Sequence, residues 1–185
     1  MSKSAVENKV SHTEPADVPI GMLNWLWVSV VIIILDYVTK LVVIKTMSIG
    51  TRIEVLPFFN WVHVRNEGAA FSFLAGAGGW QRWMFAAISI GVSGALIYWL
   101  KNTPKSDRWM ACCLAMIIGG ALGNLYDRLV YGSVVDFLDF HGSIFQMVLG
   151  YSHFPAFNVA DIAISVGAFM MAVDVIFNPS GSQKS

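Results

Sequence analysis

Gly119-Gly120-Ala121-Leu122-Gly123-Asn124-Leu125-Tyr126-Asp127-Arg128 is an apolar, glycine-rich run that ends in a carboxamide, a carboxylate and a guanidinium. It closes an uncharged stretch that begins near Trp109, close to the roughly 20 residues a helix needs to cross a bilayer. Ionisable groups at the end of such a span are costly enough to require a reason. Beyond it, Val134-Val135-Asp136-Phe137 brings in another acid, and Phe157-Asn158-Val159-Ala160-Asp161 opens the next apolar run. Carboxylates thus gather where two spans meet.

The rest of the composition agrees with a membrane protein. Of 185 residues, 56% are hydrophobic and 13% charged, about half the charge of an ordinary soluble domain. Net charge is zero, so no basic field is present to recruit nucleic acid. The two cysteines, Cys112 and Cys113, are adjacent in an apolar run. They read as small buried hydrophobes, because neighbouring cysteines rarely bridge and no zinc-type spacing exists.

Four apolar segments are predicted as membrane helices, at about 23–44, 80–100, 109–126 and 157–177. They form one membrane domain over 21–178, between polar tails at 1–20 and 179–185. The short basic loop with Lys101, Lys105 and Arg108 is expected on the cytoplasmic side. Lys3, Lys9 and Lys184 agree, which puts both termini inside, although Lys45, Arg52, Arg65, Arg82 and Arg128 weaken the asymmetry. In the first outer connection, Pro57 separates two β-rich runs, Arg52–Leu56 and Phe58–Val64, suited to a small hairpin or curved sheet at the surface. Phe71-Ser72-Phe73-Leu74 reads as an apolar loop dipping into the interface.

This topology brings Asn124, Asp127, Arg128, Asp136, Asn158 and Asp161 to one membrane–water boundary. Asn124, Asp127 and Arg128 stand at i, i+3 and i+4, one face of a helix. They serve either as anchors for a neighbouring backbone or substrate, or as a helix-end network with Arg128 snorkelling to headgroups. Asn158 and Asp161 have the spacing of a helix cap with an acid at its third position. The positive end of that helix also suits Asp161 to remain ionised beside a second carboxylate. Two acids sharing a site cannot both ionise easily, and such a pair can activate water for amide hydrolysis. Spacing leaves the partner open between Asp136 and Asp127, with Asp139 a weaker third choice. Asp36 and Lys40, at i and i+4 in the first span, make either a structural pair or a further part of the same site.

Other chemistries lack their residues. His12, His63, His141 and His153 have no ligand spacing, so neither a metal nor another cofactor is expected. No Gly-x-Ser-x-Gly elbow or phosphate-binding loop appears. Intramembrane carboxylates also suit a small proton-coupled transporter, but that activity needs them along a path through the bilayer. Here only Asp36, Lys40 and Asp174 lie away from the outer boundary.

At these residues the chain resembles the lipoprotein signal peptidase (signal peptidase II) family of bacterial membrane aspartyl proteases. The resemblance rests on Asp36-Tyr37-Val38-Thr39-Lys40, Arg65-Asn66-Glu67-Gly68-Ala69-Ala70-Phe71-Ser72-Phe73 and the opening stretch. Val134-Val135-Asp136-Phe137 and Phe154-Pro155-Ala156-Phe157-Asn158-Val159-Ala160-Asp161 complete it, in the family's order. It implies a mainly α membrane protein: four transmembrane helices with a small extracytoplasmic β-cradle and a short mobile helix over the site. It implies a catalytic dyad of Asp136 and Asp161. Asn124, Asp127, Arg128 and Asn158 then support the dyad or contact substrate, Asn66 positions substrate, and Asp36 and Lys40 anchor the first span. The implied substrate is a lipid-modified prolipoprotein, cut before its diacylglyceryl cysteine at the outer face of the bacterial inner membrane. Membrane lipids and the cyclic peptide inhibitor globomycin are the other implied partners. The chain departs from many members in a longer Phe140–His153 stretch and in Ile162, where a Ser or Thr is common.

Overall fold

A computed structural model describes residues 21–68 and 78–177. The expected tails and the apolar loop at 71–74 lie outside the described residues. After a single 3-10 turn at Leu23–Trp25, the elements in order are α1 (Leu26–Thr46), β1 (Arg52–Leu56), β2 (Phe59–Asn66) and α2 (Trp80–Asn102). They continue as α3 (Arg108–Tyr131), β3 (Val134–Phe140), α4 (Ser143–Leu149) and α5 (Val159–Phe177). Among the described residues four helical stretches are long and apolar enough to cross a membrane: Leu23–Thr46, Trp80–Asn102, Arg108–Tyr131 and Val159–Phe177. Their outward surface is apolar: Ile34, Val38, Ile90, Phe169 and Ile176 are each about half exposed or more, as a lipid-facing surface requires.

Helix α3 is the centre of the bundle. Two-thirds of its apolar window (67%) is buried, against 17–28% for the other three spans. Its glycines make that possible, because small residues let helix backbones approach closely in lipid. A Cβ on Gly119 would stand 2.9 Å from the Ser29 Cα of α1, and one on Gly120 would overlap the Ala160 carbonyl oxygen of α5. A Cβ on Gly123 would reach within 2.8 Å of the Asp36 carboxylate. The opening stretch therefore packs on two neighbours at once. Asp107 starts the helix by accepting from Met110 N–H at 2.9 Å, an N-cap bond that satisfies one of the orphan donors.

At its other end α3 runs on past the expected limit at Tyr126 to Tyr131. Gly132 then takes φ 79° at the C-cap, the left-handed conformation that glycine adopts without a Cβ penalty. The chain turns there directly into β3. The expected hairpin is present, with β1 and β2 antiparallel in the register Ile53↔Trp61 and Glu54↔Asn60. Strand β3 adds to β2 with Val64↔Asp136 and Asn66↔Val134, giving a three-stranded sheet of order β1-β2-β3. This third strand was not anticipated from the residues of the second connection. Its signal was available: Val134, Val135, Phe137 and Phe140, bounded by Gly132-Ser133 and Gly142.

Two buried clusters hold the assembly. Met22, Leu100, Met110, Ala111, Leu114 and Ile118 fill the end of the bundle away from the sheet. Val43 and Met47 of α1 and its C-cap meet Val135 and Phe137 of β3, fastening the sheet to the bundle.

Candidate active site

Strand alternation aims Asp136. Val135 and Phe137 point into the cluster with Val43 and Met47, so the period of two sends Asp136 to the opposite face. There it is almost wholly buried, at 2% exposure. Asn66, on the neighbouring strand, reaches across the diagonal and donates to Asp136 Oδ2 at 3.0 Å.

Helix α5 supplies the second carboxylate through its cap. Asn158 Oδ1 accepts from Asp161 N–H at 3.0 Å, and Asp161 Oδ2 accepts from Asn158 N–H at 3.2 Å. This reciprocal pair is a capping box, with Asn and Asp in place of the commoner Ser and Glu. It fixes the Asp161 carboxylate at the positive end of the helix. The Asn158 side-chain amide meanwhile donates to Asp136 Oδ1 at 2.8 Å and is shared with Asn124 Oδ1 at 3.1 Å and Val135 O at 3.3 Å. One residue thus bonds both carboxylates. The cap and the acidic site, weighed as alternatives from the spacing, occupy the same atoms.

Behind this pair lies a buried cation. Lys40 Nζ contacts Asp36 Oδ2 at 2.7 Å, Asp127 Oδ2 at 3.0 Å and Asn124 Oδ1 at 3.0 Å. Asp127 Oδ2 also accepts from Val135 N–H at 3.0 Å, and Asp36 Oδ1 accepts from Ala160 N–H at 2.9 Å. Lys40 therefore joins a carboxylate that pins β3 to one that pins the start of α5. Asn124 passes the restraint on, donating from Nδ2 to Asp161 Oδ1 at 2.8 Å. Arg128 does not snorkel. It is half-buried, donates to Asn124 O at 3.3 Å and Gly68 O at 3.4 Å, and lies over the Phe85 ring.

Of the residues singled out in the sequence, Asp36, Lys40, Asn66, Asn124, Asp127, Arg128, Asp136, Asn158 and Asp161 fall in one hydrogen-bonded network. Asp127 is occupied by Lys40 and the β3 backbone, whereas Asp136 lies near enough to Asp161 for that neighbour's charge to act on it. Asp139 stands outside the network, bound by Asn60 at 2.8 Å and His153 at 2.9 Å. Burial works against its charge, but those partners and Arg52 hold its carboxyl below the usual range.

Burial dominates the electrostatics of Asp136. Burial, and after it the neighbouring charge of Asp161, pushes the Asp136 carboxyl up to about 7, against the opposing pulls of Asn66, Asn158 and Lys40. A carboxyl poised there can hold or release a proton near neutrality. Asp136 opens on a cleft of about 690 Å³ whose walls include Asn66, Glu67, Gln146, Tyr151 and His153. The last three belong to the α4 region, which carried no motif in the sequence. Among the described residues no group of His, Cys, Asp and Glu is arranged to hold a metal ion.

Four membrane-length helices with a polar, carboxylate-bearing cleft beside a small sheet are the build of a multi-pass membrane enzyme. The model for "Signal peptidase (SPase) II" matches residues 28–177. The chain belongs to the signal peptidase II family. It is 50% identical over 163 residues to a lipoprotein signal peptidase of Alteromonas mediterranea, covering 88% of this chain and 85% of that one. To the lipoprotein signal peptidase of Pseudomonas putida it is 47% identical over 162 residues, covering 87% and 91%. A solved bacterial membrane enzyme, determined by the in meso method, superposes with TM-score 0.73 at 32% identity, covering 88% of this chain and 93% of that one. Nothing in these likenesses favours a transporter.

Proposed function

We infer that this chain removes signal peptides from prolipoproteins, and we propose that it does so as an aspartic endopeptidase with Asp136 and Asp161 as its dyad. Family membership and near-50% identity along most of the chain support the first statement. The second rests on one observation above the others: Asn158 bonds both carboxylates, and Asp136 is poised to carry a proton beside Asp161.

In this reading Asp161 accepts hydrogen bonds from Asn124 and the Asn158 backbone and takes the proton of the attacking water. Asp136 gives its proton to the scissile carbonyl as the tetrahedral centre forms. The proton gained by Asp161 then passes to the leaving amine, and as the C–N bond breaks Asp136 takes back a hydroxyl proton from the gem-diol, which becomes the carboxylic acid, so the pair again holds one shared proton. Asn66 and Asn158 hold Asp136 in place, and Asp36, Lys40 and Asp127 hold the strand and helix that carry the dyad. In this reading Asn66, from the cleft wall, and Arg128 contact the bound peptide. Residues 21–178 act as one membrane protease domain, with both termini cytoplasmic and the dyad at the extracytoplasmic face. The substrate is a prolipoprotein bearing a diacylglyceryl cysteine, cut just before that residue. A site at the end of the spans lets it enter sideways from the bilayer, and globomycin-type cyclic peptides would compete for the same cleft.

Incubation of the purified protein with a diacylglyceryl-modified prolipoprotein should release the signal peptide, with no release from the unmodified precursor. Asp136→Asn and Asp161→Asn should each abolish turnover. Near-normal turnover by either variant overturns the dyad.

A further inference from the structure

Helix α4 is the one described helix outside the bundle with an exposed apolar face. Ile144, Met147 and Val148 stand at i, i+3 and i+4 and are 62%, 80% and 69% exposed. Its opposite side is held: Phe145 meets Phe154, whose ring meets Phe157, which stacks on Phe140 of β3. At the neck of the loop His141 bridges His153, Gly142 N–H donates to Ser152 O at 2.9 Å, and His153 contacts Asp139. The outward stripe is therefore presented by a fastened element, in the same strand connection that carries Asp136.

The sequence around it says what covers the stripe. From Phe140 to Ala160 there is no Asp, Glu, Lys or Arg. A soluble partner's interface is rimmed by polar and charged groups, and around the stripe this segment offers no Asp, Glu, Lys or Arg to such a rim. The connection leaves α3 and returns at α5, two helices long and apolar enough to cross a membrane, so the stripe is tethered at both ends to membrane spans. Exposed Tyr151 follows the stripe, as aromatic residues do at the membrane–water interface.

We propose that α4 is an interfacial membrane anchor: Ile144, Met147 and Val148 enter the leaflet on the dyad's side, and phospholipid is their occupant. This rests on the membrane-protease reading. Through the phenylalanine contacts the anchor holds β3, and with it Asp136, at a fixed depth relative to a lipidated peptide in the same leaflet.

The test places the photo-crosslinker p-benzoylphenylalanine at Met147 in the full chain, reconstituted in phosphatidylethanolamine–phosphatidylglycerol vesicles. Irradiation should yield a phospholipid adduct by mass spectrometry. A cross-link to a second copy, a cross-link within the chain, or no adduct overturns the proposal. In parallel, Met147→Glu combined with Val148→Glu should raise KM for a vesicle-embedded lipidated substrate about tenfold, with kcat within about twofold and an unchanged melting midpoint. An unchanged KM also overturns it. The adduct is read without turnover, so failure of the dyad assignment is distinguishable from failure of the anchor.

Discussion

Asn158 donates from its side-chain amide to Asp136 across 2.8 Å while its backbone and side chain cap the helix that carries Asp161. The spacing between the two acids is therefore built into a helix start. Asn158→Ala removes the cap and a donor to a buried carboxylate together. A destabilisation of about 2–3 kcal/mol is expected, by adding a lost cap to a lost charge-assisted bond. Turnover should fall by about a hundredfold or more, as for loss of a group that sets catalytic geometry. Asn158→Ser keeps a cap oxygen and adds no charge but loses the amide donor to Asp136. It should therefore regain stability more than activity, which thermal melts and turnover at one pH will separate.

Asp136 makes stability depend on pH in an uncommon direction. Its carboxyl is pushed up to about 7 in the fold, from an ordinary value of 3.8. Between these limits the folded chain keeps a proton that the unfolded chain has released, so stability falls as pH rises from about 4 to about 7. Asp136→Asn removes this titration. At pH 7 the variant should be the more stable protein, by a margin on the order of 3–4 kcal/mol, and the margin should vanish near pH 4. Melting curves across that range check it, and a variant less stable at pH 7 contradicts the buried, proton-holding environment.

Asn66 stabilises the charged form of Asp136 through its 3.0 Å bond. Without it the carboxyl should hold its proton to higher pH. Asn66→Ala is therefore expected to move the alkaline limb of the kcat/KM profile upward by about one pH unit, the equivalent of roughly 1.4 kcal/mol. A limb that stays in place, or moves down, would show that the bond does not tune the acid.

The spans and the acidic boundary were legible because apolar length and stranded charges are strong signals on a sparsely charged chain. The Asn158–Asp161 spacing also foretold a cap that the fold contains. What the residues alone left open was the partner of Asp161, since Asp127 and Asp136 both lie near the end of α3. The proposal of Asp136 draws on β3, whose alternation turns it inward, and on Lys40, which claims Asp127 from a helix far away in sequence. Contacts separated by so many residues leave no local periodicity. The cleft wall at Gln146 and His153 was harder still, because its residues carry neither a motif nor a run of charge.

Lys40 gives the sharpest test of how the network works. Its ammonium is 2% exposed and lies between Asp36 and Asp127. Lys40→Met would leave two buried carboxylates facing each other, a change that costs about 3–5 kcal/mol in comparable buried pairs. Adding Asp36→Asn removes one of those charges, so the double variant should recover part of the lost stability. Activity should not recover with it. Lys40 also helps to fix the Asn124 amide, with Oδ1 towards the lysine and Nδ2 towards Asp161. Without the cation Oδ1 keeps only the Asn158 Nδ2 donor at 3.1 Å, so the amide is held less firmly against Asp161, and kcat should remain at least tenfold down while KM changes little. If kcat returns with stability in the double variant, Lys40 only holds the bundle together and the orientation of Asn124 is set elsewhere.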